Sequence, residues 1–168
     1  MEFKIYVINA TEYGESGKEH GVWLNLPMTC NELDATLEKI GVSATDNYII
    51  MDAELNLPFT YEIGEYTSLE YLNSLANNLA EIELKGDLDW VAAYIEATGY
   101  SLEYTIDNYE DNSEFFAGMT LREVAEEFAD ETAELSEFAR RYFDYDAFAN
   151  DLRIDGYVEY DGGVLYVY

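Results

Sequence analysis

Residues 123–138 read EVAEEFADETAELSEF. Seven of these sixteen residues are acidic, namely Glu123, Glu126, Glu127, Asp130, Glu131, Glu134 and Glu137, and none is basic. Like charges three or four apart on a helix repel by a few tenths of a kcal/mol per pair, yet the apolar spacing is helical. Thr120 and Glu123 make a capping-box pattern. Leu121, Ala125, Phe128, Thr132, Leu135, Ala139 and Tyr142 step 4-3-4-3-4-3, the stripe of a helix lying on a core. Arg140 and Arg141 follow where positive charge complements the helix dipole. The spacing predicts one amphipathic helix over 120–142 with acidic outer faces.

On the C-terminal side, DYDAFANDLR (144–153) reads as a short helix capped by Asp144. YVEY (157–160), the glycine turn DGG, and VLYVY (164–168) read as a hairpin. On the N-terminal side, SLEYTIDNYE (101–110) reads as a strand or extended segment from its tyrosines, Thr105 and Ile106. Further back, Thr67 with Glu70 starts a helix carrying Leu69, Leu72, Ala76, Leu79 and Ile82. Gly86 ends it, and a second helix, with Leu88, Val91, Tyr94 and Ile95, runs to Gly99. The first third opens with the strand FKIYVI (3–8). A glycine-rich loop (10–21), a strand GVWLNLP (21–27), a helix after Thr29 and a strand YIIMDAEL (48–55) follow. The expected fold class is α+β, an elongated chain of three small domains. They are an α+β domain at 1–60, a helical domain at 61–102 and an α+β domain at 103–168.

The chain has 168 residues, 49% apolar and 15% aromatic, enough to bury a core. Its formal net charge is −28, from 36 acids and 8 bases. Residues 101–168 alone hold 18 acids against 4 bases. Charge of this sign argues against direct binding to nucleic acid or to an anionic membrane surface. Cys30 is the single cysteine, so no intrachain disulfide forms. The start, MEFKIYVINA, lacks the pattern of a signal peptide, and no apolar run reaches the length of a membrane span. The expected location is the cytoplasm of a bacterial host cell.

Few groups suit catalysis. His20, the single histidine, lies in a glycine-rich loop, where a catalytic base is one reading and a solvated side chain the plainer one. Cys30 begins a helix, which lowers a thiol pKa, but no histidine partner is in evident reach. No phosphate loop, dinucleotide fingerprint or nucleophile elbow is present. The run from Asp144 to Asp155 fails the calcium-loop pattern, with Phe148 and Ala149 where a ligand and a glycine belong. Carboxylate pairs for glycoside hydrolysis carry no specificity among so many acids. The expectation is a protein that is not an enzyme and has no cofactor or metal.

The acids remain as a collective feature. A straight helix from Glu123 to Glu137 is about 21 Å long, so its charges lie about 3.5 Å apart along the axis, against about 3.4 Å along one DNA strand. Three readings fit: a DNA-like charge array, an acidic surface kept for solubility, and a surface for some other basic partner.

The order of segments resembles that of the ArdA-type antirestriction proteins. IYVINATEYGESGKEHGVWLNLP (5–27) is similar to the family's opening strand, loop, Gly-x-Trp and Leu-Pro. Ile63 to Asn73, within 48–76, is similar to its Ile-x-Glu-Tyr-x-Ser-x-x-x-Leu-Asn. YFDYDAFANDLRIDGYVEYDGGVLYV (142–167) is similar to its Tyr-x-Asp-Tyr-x-Ala-Tyr-x-x-Asp-Leu segment and terminal strand. The departures are the order Asn9-Ala10, Gly14 in place of Asn, Phe148 in place of Tyr, and Asn150 at an often basic position. None removes acidic charge.

The resemblance implies a DNA mimic that inhibits type I restriction–modification enzymes by occupying their DNA-binding groove. The family's proteins are carried by mobile genetic elements and form homodimers through the C-terminal domain. The mimicking surface then falls on Glu110, Asp111, Glu114, Glu123, Glu126, Glu127, Asp130, Glu131, Glu134, Glu137, Asp144, Asp146, Asp151 and Asp155, continued by Asp52, Glu54, Glu62 and Glu65. Tyr142, Phe143, Tyr145 and Phe148 are the candidate dimer contact, with local core as the alternative. The competing function is an acidic binding protein or chaperone for a basic DNA-binding partner, without DNA-shaped mimicry.

Overall fold

The computed structural model describes residues 1–43, 47–132 and 136–168. They form a mixed α+β chain with two three-stranded sheets. The chain divides into two compact units, Met1–Gly86 and Asp87–Tyr168. The boundary falls within the segment 61–102 expected as one helical domain, leaving its first helix in one unit and its second in the other. No helix among the described residues is long and apolar enough to cross a membrane.

In the first unit, β1 (Glu2–Asn9) is flanked antiparallel by β2 (Gly21–Asn25) and β3 (Tyr48–Asn56), in the order β2-β1-β3. Phe3, Ile5 and Val7 of β1 are buried, the alternation of a half-covered strand. Gly21 lies opposite Ile8, and a Cβ there would sit 2.7 Å from both Ile8 Cγ2 and the Tyr6 ring. Only glycine fits under that tyrosine, which packs on Trp23.

Helix α2 (Cys30–Leu37) buries Leu33 and Leu37, and its capping box is complete. The loop expected over 10–21 is in part a helix, α1 (Ala10–Ser16), because Asn9 caps it by accepting from Glu12 N. Helix α3 (Leu69–Lys85) buries Leu69, Leu72, Leu75, Ala76, Leu79 and Ile82. It is tied to the rest of the unit by Asn73, whose amide donates to Met28 O at 2.9 Å and accepts from Met28 N at 2.7 Å.

The second unit runs α4 (Leu88–Thr98), α5 (Leu102–Asn112), β4 (Ser113–Ala117), α6 (Leu121–Thr132), α7 (Glu137–Arg140), α8 (Tyr145–Ile154), β5 (Tyr157–Tyr160) and β6 (Gly163–Val167). The sheet is antiparallel in the order β4-β6-β5. The turn expected over DGG is made by Asp161 and Gly162 alone, Gly162 with φ +87°, because Gly163 already pairs with Tyr160 as the first residue of β6. One face of the sheet, with Phe116, Val164 and Tyr157, packs on Leu121, Val124 and Ala125 of α6 and on Ala149 and Leu152 of α8. On the other face Trp90 of α4 stacks on Phe115, ring centroids 6.2 Å apart.

Two expectations fail in this unit. Residues 102–112 are a helix, not a strand. Ser101 caps it by accepting from Tyr104 N, and Leu102, Thr105 and Tyr109 are buried on one face. That packing overrides the β-preference of Tyr104, Thr105 and Ile106. The long helix over 120–142 is likewise not continuous. Ser136 is extended (φ −62°, ψ 153°), and its hydroxyl accepts from Ala139 N to start α7 afresh. Serine competes for backbone donors in this way and favours a cap over a helix interior. Tyr142, expected in the buried stripe, is 76% exposed. Leu135 and Glu134 lie outside the described residues.

Candidate acidic interaction surface

Helix α6 shows how the acids are placed. Its buried residues are Leu121, Val124, Ala125 and Ala129, with Phe128 half-buried. At about 100° per residue these take one side, and Glu123, Glu126, Glu127, Asp130 and Glu131 fall within about 140° on the other. The five carboxylates span about 12 Å of axis, about 3 Å per charge. The 21 Å rod expected from Glu123 to Glu137 does not exist, because Glu137 belongs to α7; the charge spacing survives on the shorter helix.

Helix α5 repeats the arrangement. Glu103, Asp107, Glu110 and Asp111 stand at i, i+4, i+7 and i+8 and all are exposed. Glu123, Glu127, Asp130 and Glu131 of α6 have the same spacing and are exposed too. Glu103 and Asp107 were not singled out with Glu110 and Asp111, because an extended reading of 101–110 hides the helix face the four acids share. The signal that could have found them is the apolar spacing Leu102, Thr105, Tyr109, which puts the acids on the opposite face.

Several carboxylates already have partners. Glu123 Oε2 accepts from Thr120 N and Oγ1, each at 2.8 Å, which holds its pKa below the usual value. Arg122 lies between Glu126 (3.0 Å) and Asp146 (2.9 Å), bridging α6 to α8. Asp130 pairs with Arg140 at 2.7 Å. Asp144 Oδ1 caps α8 by accepting from Ala147 N. Glu110 Oε1 accepts from Tyr109 OH at 2.8 Å, and Asp87 Oδ2 lies 3.1 Å from the same hydroxyl. Burial, then these hydrogen bonds, push the Tyr109 phenol far above its ordinary range.

The remaining candidates Glu114, Glu137, Asp151 and Asp155 are exposed. In the first unit Asp52 and Glu54 lie on β3, Glu54 near Lys4 at 3.8 Å, and Glu62 and Glu65 are exposed in the loop before α3. The aromatic quartet divides. Phe143 packs against Tyr145 and Phe148, and Phe148 lies against the core under α6 and α8, which is the local-core alternative. Tyr142 instead contacts Phe138, itself 72% exposed.

No group of three or more histidine, cysteine or acidic side chains that could hold a metal occurs among the described residues. What the arrangement provides is rows of fixed negative charge on helices. Residues 5–166 match the protein family described as Antirestriction protein (ArdA). The chain belongs to the ArdA antirestriction family. That match spans both compact units and contains every candidate acid. No curated protein sequence matches the chain. Membership of the ArdA family makes this an antirestriction protein and implies restriction enzymes as the partner class.

Proposed function

We propose that this ArdA-family protein inhibits type I restriction–modification enzymes by presenting its carboxylates as substitutes for DNA phosphates. The observation that carries the reading is the shared spacing on α5 and α6. Each exposes four carboxylates at i, i+4, i+7 and i+8, in a unit with 21 acids and 4 bases.

DNA-binding grooves hold the duplex mainly through lysine and arginine contacts to phosphate oxygens. A carboxylate on a helix meets the same cations, and the core beneath it fixes its position before binding. That reduces the ordering cost a flexible polyanion bears. The inhibitor offers no bases to read and no phosphodiester to cut, so it competes stoichiometrically and performs no reaction. Carboxylates of the first unit, Asp52, Glu54, Glu62 and Glu65, belong to the same reading, as does self-association through residues 103–168. Glu123 and Asp130 within the α6 stripe, and Glu126 and Asp146 beside it, already hold intramolecular partners and contribute less than Glu127 and Glu131.

The test is displacement of labelled target DNA from a type I restriction enzyme, across a salt series, with an unrelated protein of similar net charge as control. Stoichiometric displacement by this protein and not by the control is expected. Equal displacement by both, fading together with salt, would reduce the acids to bulk electrostatics.

A further inference from the structure

Strand β5 ends its sheet, so one row of its backbone N–H and C=O groups meets no further strand among the described residues. An open edge is a template for pairing with another chain. Beside it runs a groove of about 630 Å³, lined by Glu96, Val158, Glu159, Tyr160 and Asp161. Val158 is 43% exposed and Tyr160 half-buried, giving an apolar strip along the strand. The three carboxylates are exposed, and the described lining holds no cation. Glu159 is committed to α6, where its Oε2 accepts from Leu121 N at 3.1 Å. Glu96 and Asp161 remain to meet a ligand.

We infer that the β5 edge is a docking site for an extended cationic segment of a protein partner, added as a fourth strand with its basic side chains against Glu96 and Asp161. Charge decides the occupant. A second copy of this chain would bring the same carboxylates to the same edge, and like charges face to face oppose association. Nucleic acid has the wrong sign as well. A cationic strand reverses the sign. Strand addition then supplies main-chain hydrogen bonds for affinity, while alternate side chains reach the apolar strip and the carboxylates for specificity. The inference rests on the proposed function only in taking a basic protein as the partner.

The experiment titrates isotope-labelled full-length protein with a short peptide alternating arginine and valine, followed by amide chemical shifts. A second peptide of the same sequence is N-methylated along its pairing edge, which keeps the charge and removes the donors. The expected result is shifts confined to 158–161 and Glu96, with binding about tenfold weaker after methylation. The double variant Glu96→Gln, Asp161→Asn should keep its fold and bind the first peptide several-fold more weakly.

Equal binding of both peptides would overturn the inference. So would shifts spread over α5 and α6, or concentration-dependent shifts on β5 without peptide, which would mark a second copy as the occupant. DNA displacement by the wild-type protein, measured in parallel, separates the two readings. Displacement intact with no peptide at β5 discards the groove alone; peptide at β5 with no displacement supports the groove and discards the mimic.

Discussion

Neutralising five exposed carboxylates of the second unit should weaken inhibition while leaving the fold intact or firmer. The substitutions are Asp107→Asn, Asp111→Asn, Glu127→Gln, Glu131→Gln and Asp151→Asn, all at exposed positions and outside the caps and ion pairs described above. An exposed ion pair is worth about 0.5 kcal/mol, so five lost pairs remove about 2.5 kcal/mol. At a tenfold change per 1.4 kcal/mol, affinity falls on the order of sixtyfold. Glu127→Gln alone should change it about twofold. The effect on stability has the opposite sign. Asp107 stands four residues from both Glu103 and Asp111, and Glu127 four from Glu123 and Glu131. Relief of these like-charge pairs should stabilise the helices by about 1 kcal/mol in all. DNA displacement from a type I enzyme measures the first quantity and a thermal melt the second. A single substitution as severe as all five would refute the distributed-charge argument, as would a fivefold variant that inhibits undiminished.

Tyr109 should make the protein sensitive to alkali. Above the ordinary tyrosine value of 10.0 the unfolded chain releases the phenolic proton while the folded chain keeps it, so stability is complete below that pH and falls above it. Tyr109→Phe should flatten part of that decline in melts taken from neutral to alkaline pH, and an unchanged slope would refute the assignment. Asn9→Ala should destabilise the first unit by about 2 kcal/mol, because Asn9 both caps α1 and donates to Ile40 O at 2.8 Å. Chemical denaturation measures it, and a change within error would show that water replaces the amide. Arg122→Met should lower the melting temperature slightly by removing the α6–α8 bridge. It frees Glu126 and Asp146, so DNA displacement should be undiminished, and a marked loss would place Arg122 itself in the interface.

The sequence was most legible where the apolar period is sustained. The helices Cys30–Leu37, Leu69–Lys85 and Leu88–Thr98 and the hairpin around Asp161-Gly162 are where spacing puts them, although Ser68 and not Thr67 caps the second and the Asp87 side chain caps nothing. Two short elements were hidden by composition. Three glycines made 10–21 read as a loop, although Asn9 caps a helix there and Gly17 ends it in the left-handed region. Tyr104, Thr105 and Ile106 made 101–110 read as a strand, although Leu102 and Tyr109 bury a helical face. The break at Ser136 was hidden for the reverse reason. The 4-3 stepping continues through it, and only the serine's side-chain acceptor marks the new start. The acids were legible as a net charge. Their grouping into two equal stripes was not, since it depends on α5 being a helix.

That grouping bears on the solubility reading. An acid that caps a helix or bridges an arginine has an intramolecular role, as Glu32, Glu123, Asp146 and Glu159 do here. An acid that serves only to keep the surface hydrated can stand anywhere on it, and wide separation minimises repulsion. In α5 and α6 the acids instead stand three and four residues apart, where repulsion along a helix is largest. The buried faces of the two helices already set exposed positions three and four apart; what folding opposes is filling so many of those positions with like charge. A surface that meets phosphate-binding cations gives a reason for that filling, because each carboxylate can then face a positive charge. The stripes therefore favour a role in binding, and raising the net charge elsewhere on the surface should not restore inhibition once they are neutralised.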